Sequence, residues 1–247
     1  FSDKIEILKA IRNKNFILSN SIKTNTLKEQ IPTANLNKKI NINSATMNSK
    51  KISKNSIFIG VQGKRFDGNK FSNDAINNGA LIALSNKRSK NSKIVYAKNP
   101  LGKLQTISSN IRKTLDITNI AITGSAGKTS LKELVGFCLT KISKTFFSKK
   151  SLNNKFGVPI SLFNVPQNSK FCILEVGMDK KGEIDFLSKM IKPNVGVITN
   201  ISYAHIKNFK NLNQIAYAKG EIIKNIIPKG ILVINKDDKY FNYFRNE

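Results

Sequence analysis

The apolar positions of this 247-residue chain fall in short runs, and the spacing within each run separates strand from helix. Up to about residue 35 the chain is mostly polar, with one amphipathic patch at Ile5, Leu8 and Ile11 whose spacing predicts an accessory helix and a linker. From about 36 to 100, continuous apolar runs at 57–61, 81–84 and 94–97 read as buried strands. GKRFDGNKF, residues 63–71, is a glycine-rich polar loop, and 75–80 ends a helix that closes on Gly79. Residues 101–115 predict a helix leading into a second domain. Beyond 118, strand and helix alternate. Strands are expected at 119–123, 171–176, 195–200 and 231–234, helices at 128–142, 182–190 and 211–226, and another helix starts near Gly157. Continuous apolar strands with intervening helices predict a mostly parallel sheet covered on both faces. The expected fold class is therefore α/β: a small N-terminal α/β domain, then a central domain with a mostly parallel sheet. Ligands in such sheets bind at the carboxyl ends of the strands, so those ends are where a site is sought.

The end of the 119–123 strand carries TGSAGKTS. Glycines at 124 and 127 suit a sharp strand-to-helix turn whose N–H groups face an anion at the helix start. Lys128 would reach the outer phosphates, and the Thr129 hydroxyl would face a magnesium ion. The general nucleotide-loop pattern has a glycine five places before Gly127, where this chain has Ile122. The bland alternative is an ordinary glycine turn. The helix that follows shows apolar residues at Leu131, Leu134, Val135, Cys138 and Ile142.

Other strand ends add donors. FCILE ends in Glu175, which could give magnesium a hard oxygen or simply lie at the surface. VGVITN ends in Asn200, and His205, the only histidine, follows five residues later. It could hold a metal or orient a phosphate. Asn235 follows ILVI and could read an adenine edge. Asn153 and Asn154, ahead of the helix near Gly157, suit hydrogen bonds to a polar substrate or a helix cap. In a helix over 211–226, Leu212, Ile215, Ala216, Ile222, Ile223 and Ile226 form one stripe with Lys219 near its middle. A lysine there either snorkels to water or becomes a neutral, nucleophilic amine.

Composition narrows the classes. A hydrophobic fraction of 40% supports a real core. Cys138 and Cys172 both read as buried and reduced, which suits a cytoplasmic protein. No apolar run approaches the roughly 18 residues of a membrane span. With one histidine and two buried cysteines, zinc is not expected. The net charge of +27 invites a nucleic-acid or anionic-membrane reading. The lysines are scattered, however, without the aromatic interleaving of a strand-binding groove, and Lys, Asn and Ile abound as in an AT-rich genome. No specific nucleic acid is expected, and a monomer is.

The motifs together resemble the Mur ligases, the ADP-forming amide ligases of peptidoglycan synthesis. TGSAGKTSLKE is similar to that family's nucleotide loop, including its missing first glycine. SLNNKFGVP resembles the segment of the branch that joins D-alanyl-D-alanine to UDP-N-acetylmuramoyl-tripeptide. EVGMDKKGEI, AHIKNFKNLNQIAYAKGEI and INKDD resemble further family segments in family order, and GKRFDGNKF and AINNGA resemble its uridine-nucleotide domain. The resemblance spans roughly residues 36 to 240.

Residues 1–35 have no obvious counterpart in the family and read as an extension or linker, while the resemblance implies a uridine-nucleotide substrate domain over 36–115 and an ATP-binding central domain over 116–247. It implies ATP held by Gly124, Ser125, Ala126, Gly127, Lys128, Thr129, Ser130 and Asn235, and substrate contacts at Ser49, Asn153 and Asn154. Magnesium would be held by Thr129 and Glu175, and a second ion by His205 with Lys219 as its carbamate. The catalytic set would be Lys128, Glu175, His205 and Lys219. The implied reaction phosphorylates the tripeptide carboxylate with ATP, and the dipeptide amine then attacks the acyl phosphate. Two departures stand out. The family's Asp-Ser-Arg reads Asn48-Ser49-Lys50, and the sequence stops at Glu247 without the dipeptide-binding domain. The chain alone is thus expected to bind ATP without making the amide. Alternatives are a sister Mur enzyme or folyl-polyglutamate ligase, a non-catalytic nucleotide-binding fragment, and a nucleic-acid-dependent ATPase.

Overall fold

The structure is a computed structural model that describes residues 26, 27, 29–31, 42–63, 66–148, 150–203 and 208–247. The reading of a helix over Ile5, Leu8 and Ile11 lies outside the described residues, as does His205. The chain divides into two compact units, Phe1–Thr114 and Leu115–Glu247.

In the first unit, strands β1 (Ser44–Thr46), β2 (Ser56–Ile59), β3 (Ile82–Ser85) and β4 (Ile94–Tyr96) form one sheet in chain order, every pair parallel. β2 and β3 are buried along their whole length, as their unbroken apolar runs require. Helix α1 (Ser72–Asn77) buries Ala75 against a cluster with Phe58, Ala80, Ala83 and Ile94. Helix α2 (Pro100–Thr114) buries Leu104, Ile107 and Ile111, a three-and-four spacing. The loop before α1 is pinned by Asp67, whose carboxylate accepts from the Asn69 N–H and amide and pairs with Lys87 at 2.6 Å. The Lys87 contact foremost, and Asn69 next, hold that carboxyl down at about 2.

The second unit holds a five-stranded sheet, again wholly parallel, in the order β6-β7-β5-β8-β9. Its strands are β5 (Thr118–Thr123), β6 (Thr145–Phe147), β7 (Phe171–Glu175), β8 (Val195–Ile198) and β9 (Ile231–Ile234). The helices are α3 (Lys128–Thr140), α4 (Gly157–Asn164), α5 (Glu183–Ile191), α6 (Leu212–Gly220) and α7 (Phe241–Arg245). Alternate residues of the central strands feed two cores. Ile120, Ile122 and Ile173 face α3 through Leu131, Val135 and Leu139. Ala121, Cys172 and Leu174 pack with Val158, Leu162, Ile184, Leu187, Ile215 and Ala216 from α4, α5 and α6. The sheet is covered on both faces, and the expected α/β class with parallel sheets is borne out.

Three expectations change. Cys138 is exposed, not buried, while Cys172 is buried. Of the apolar stripe expected in α3, Leu131 and Val135 pack toward the sheet, whereas Leu134, Cys138 and Ile142 face solvent. The buried residues of α3 are Lys132 and Gly136, more than a third of a turn away from that stripe at 100° per residue. The Phe147 ring lies where a Cβ on Gly136 would be, and no hydropathy pattern can register that contact. The helix expected over 211–226 stops at Gly220 and gives way to a 3-10 turn at Ile223–Asn225. Finally, β1 and β6, each three residues long, carried no apolar signal strong enough to predict.

Candidate nucleotide site

β5 is the central strand, hydrogen-bonded to β7 on one side and β8 on the other. Ile122 is level with Glu175, and Thr123 with Ile198. The loop that leaves β5 is therefore walled by Glu175 on one side and by Thr199 and Asn200 on the other. This is the crevice where strand order reverses, the usual ligand position in open parallel sheets.

The turn depends on two glycines. Gly124 has φ +141° and Gly127 φ +78°, conformations that L side chains rarely adopt. A Cβ on Gly124 would also come within 1.9 Å of Thr199 Oγ1. Gly127 is the N-cap of α3, and the Leu131 N–H donates to its carbonyl. The N–H groups of the helix's first turn have no acceptor within the helix and form its positive end.

Between the glycines the loop is tied to the segment after β8. The Ser125 N–H donates to Asn200 O at 2.9 Å, and the Ala126 N–H to Asn200 Oδ1 at 3.0 Å. Asn200 Nδ2 donates back to Ala126 O at 3.3 Å, and Thr199 Oγ1 donates to the same carbonyl at 2.6 Å. Ser125 Oγ donates to Ser202 O and accepts from the Ser202 N–H, each at 2.9 Å. Asp238, after β9, accepts from the Ile201 N–H at 2.7 Å and the Tyr240 N–H at 2.8 Å.

Two ammonium groups converge on the loop. Lys128 Nζ donates to Gly124 O at 2.8 Å and to Ser125 O at 3.3 Å. Lys219 Nζ donates to the same Gly124 O at 2.8 Å. Lys219 is 1% exposed, so it does not snorkel. Burial foremost, and the Lys128 charge next, push its pKa down to about 7. Burial also lowers Lys128, opposed by the Glu175 charge. A site with two crowded cations and free helix amides calls for an anion.

The opposite wall supplies hard oxygens. Glu175, 2% exposed, accepts from Thr129 Oγ1 and from Asn153 Nδ2, each at 2.8 Å, one on each carboxylate oxygen. Asn153 O in turn accepts from the Gly177 N–H at 2.7 Å. Asn154 faces elsewhere: its Oδ1 accepts from the Phe156 and Gly157 N–H groups and caps α4. Among the described residues no group of three His, Cys, Asp or Glu side chains could hold a metal. The donors present, one hydroxyl and one carboxylate beside an anion site, fit magnesium, which takes few protein oxygens and completes its shell with water and phosphate.

The other expected residues are more scattered. Ser130 is exposed on the first turn of α3. Asn235 is exposed after β9, and its Oδ1 accepts from the Asp237 N–H. Ser49 belongs to the first unit, where its carbonyl accepts from Asn78 Nδ2. Sequence reasoning missed Thr199 and Asn200 as partners of the loop, and Asp238 as the anchor of the segment after β8. Their place at the ends of β8 and β9 was the available signal. It also missed Lys132, which is fully buried in α3 and donates to Ser148 O and Lys150 O beside Glu133. A lysine in a helix ordinarily reads as a solvated face. No helix among the described residues is long and apolar enough to cross a membrane.

Comparisons with known proteins agree with this geometry. Residues 122–247 match the model of the Mur ligase middle domain, and residues 41–127 that of the Mur ligase family, catalytic domain. The chain is 37% identical over 209 residues to the UDP-N-acetylmuramoyl-tripeptide--D-alanyl-D-alanine ligase of Buchnera aphidicola subsp. Baizongia pistaciae, covering 83% of this chain and 45% of that protein. It is similar to the crystal structure of MurF from Acinetobacter baumannii, with TM-score 0.81, 26% identity, and 90% of this chain against 50% of that one. The MurF ligase of Thermotoga maritima in complex with ADP matches with TM-score 0.74 and 29% identity, over 83% of this chain and 48% of that one. The chain spans about half the length of the relatives it matches.

Proposed function

The chain belongs to the Mur ligase family, and we propose that it carries the nucleotide and tripeptide sites of a UDP-N-acetylmuramoyl-tripeptide–D-alanyl-D-alanine ligase. The reaction is ATP-dependent formation of an amide through an acyl phosphate. The observation that carries this reading is the meeting of Thr129 Oγ1 and Glu175 at 2.8 Å beside a glycine turn crowded by Lys128 and Lys219. ADP in the related Thermotoga maritima structure supports ATP as the nucleotide.

The roles follow from chemistry. The amides at the start of α3 bind the β-phosphate. Lys128 exchanges its carbonyl partners for the β- and γ-phosphates, a stronger charge-assisted contact. Thr129 and Glu175 hold magnesium, which when bound neutralises phosphate charge. Lys219, buried and depressed toward neutrality, is suited to add carbon dioxide through its neutral amine, with loss of a proton, and the resulting carbamate would serve a second ion with His205. Asn153, held against Glu175, presents the polar substrate beside the metal position, and Asn154 sets the helix behind it. Ser49 belongs to the uridine-nucleotide domain over 36–115, and Asn235 to the adenine side of the central domain over 116–247. Catalysis is then positioning and charge neutralisation, with the attacking amine brought to an activated carboxyl. The setting proposed is the cytoplasm, with the protein a monomer.

ADP binding by the native chain and by Lys128→Ala, followed calorimetrically with magnesium, tests the site. Loss of a desolvated charge–phosphate contact should weaken ADP by more than about tenfold. Unchanged affinity in a folded variant would show the loop to be only a turn.

A further inference from the structure

The phosphate loop does not hold its shape by itself. Its middle peptide, Ala126, is gripped at both ends by one side chain: the N–H by Asn200 Oδ1 at 3.0 Å and the carbonyl by Asn200 Nδ2 at 3.3 Å. The preceding amide, Ser125 N–H, is taken by the Asn200 backbone carbonyl at 2.9 Å. Thr199 Oγ1 adds a second hold on the Ala126 carbonyl. A primary amide is the one neutral side-chain group that can donate and accept in this paired fashion.

We propose that Asn200 is a positioning residue for the phosphate loop, turning the Ser125 and Ala126 amides away from the ligand so that only those from Gly127 onward face the β-phosphate. The inference rests on the nucleotide reading above and deepens it. Two consequences follow. The Ala126 N–H is spent on the protein, so the anion is bound by the helix end alone. The direction of the peptide planes is set from β8, not from within the loop. Asn200 itself touches no phosphate and acts through Ala126.

The test compares ADP with AMP, which lacks the β-phosphate, on the native chain, on Asn200→Ala and on Asn200→Asp. Asn200→Ala frees the loop. Asn200→Asp keeps an acceptor for the Ala126 N–H but loses the donor to the Ala126 carbonyl, so it preserves folding if alanine does not. Either variant should weaken ADP by on the order of tenfold, the loss of one to two net hydrogen bonds of orientation, and leave AMP within about twofold of native. A general loss of structure would move both ligands together. Selective loss of ADP affinity in a folded variant supports the assignment. Unchanged ADP binding, or equal loss of ADP and AMP, overturns it while leaving the nucleotide site standing. A native chain that binds no ADP overturns both readings.

Discussion

Gly124 offers a quantitative check on how the loop is built. Replacing it with alanine imposes two penalties. At φ +141° an L side chain sits in a region essentially reserved for glycine, which costs about 1–3 kcal/mol. The new methyl also meets Thr199 Oγ1 at 1.9 Å and the Thr199 N at 3.0 Å, and a backbone neighbour cannot swing aside. Displacing that hydroxyl breaks its 2.6 Å bond to Ala126 O, worth about 1 kcal/mol, and overpacking adds roughly 1–3 kcal/mol. Gly127→Ala is the internal control. It carries a positive φ of +78°, but a Cβ there meets nothing within 4 Å. Its cost is conformational alone, about 1–2 kcal/mol. Urea unfolding of both variants, with unchanged slope, should place Gly124→Ala about 2 kcal/mol or more below Gly127→Ala. Equal destabilisation of the two would refute the claim that Thr199 packs into the space a side chain needs.

Two further outcomes are expected. Lys132→Met removes a buried ammonium and leaves the Ser148 and Lys150 carbonyls without their donor, so stability should fall by about 2–4 kcal/mol in denaturant titration, and a variant as stable as native would show the buried charge to be dispensable. For Asp67 the folded pKa, about 2, lies below the usual 3.8, so its carboxylate contributes stability that is fully present above pH 3.8 and lost as pH falls through 2. The gap in unfolding midpoint between native and Asp67→Asn should be widest near neutrality and close between about pH 4 and pH 2; a gap independent of pH would contradict the Lys87 and Asn69 contacts.

Much of this protein could be read from its residues because its central strands are buried on both faces. β5, β7 and β8 carry continuous apolar stretches, the edge strand β9 does so as well although Ile231 and Val233 are exposed, and the loop after β5 announces itself by two glycines followed by Lys128 and Thr129. Glu175 could be placed because β7 ends there and the sheet rule points to strand ends. What could not be read depended on contacts across the chain. Gly136 and Lys132 form the inner face of α3 because Phe147 and two carbonyls meet them, and neither residue type signals burial. Asn154 could cap or bind, and only the position of the Gly157 amide decides that it caps. Thr199 and Asn200 look like the polar end of a strand until β8 is known to lie beside β5. Lys219 was ambiguous because a long stem can follow either route, and the Gly124 carbonyl ninety-five positions earlier decides it.

The strand order has a consequence in time. β5 is made early in its unit, yet both its partners come later: β7 after two intervening helices and β8 after a third. On an emerging polypeptide the TGSAGKTS turn therefore has no wall until Glu175 has left the ribosome, and no second wall until Ile198, Thr199 and Asn200 have. Parallel pairing between such distant segments is slow, because the entropy of closing long loops is spent before any contact rewards it. Until β7 emerges β5 is an apolar strand with two open edges, and until β8 emerges it keeps one, the kind of segment chaperones shield. The capacity to hold a phosphate is in this sense acquired late in the unit, and its appearance would mark the moment the sheet has closed around its centre.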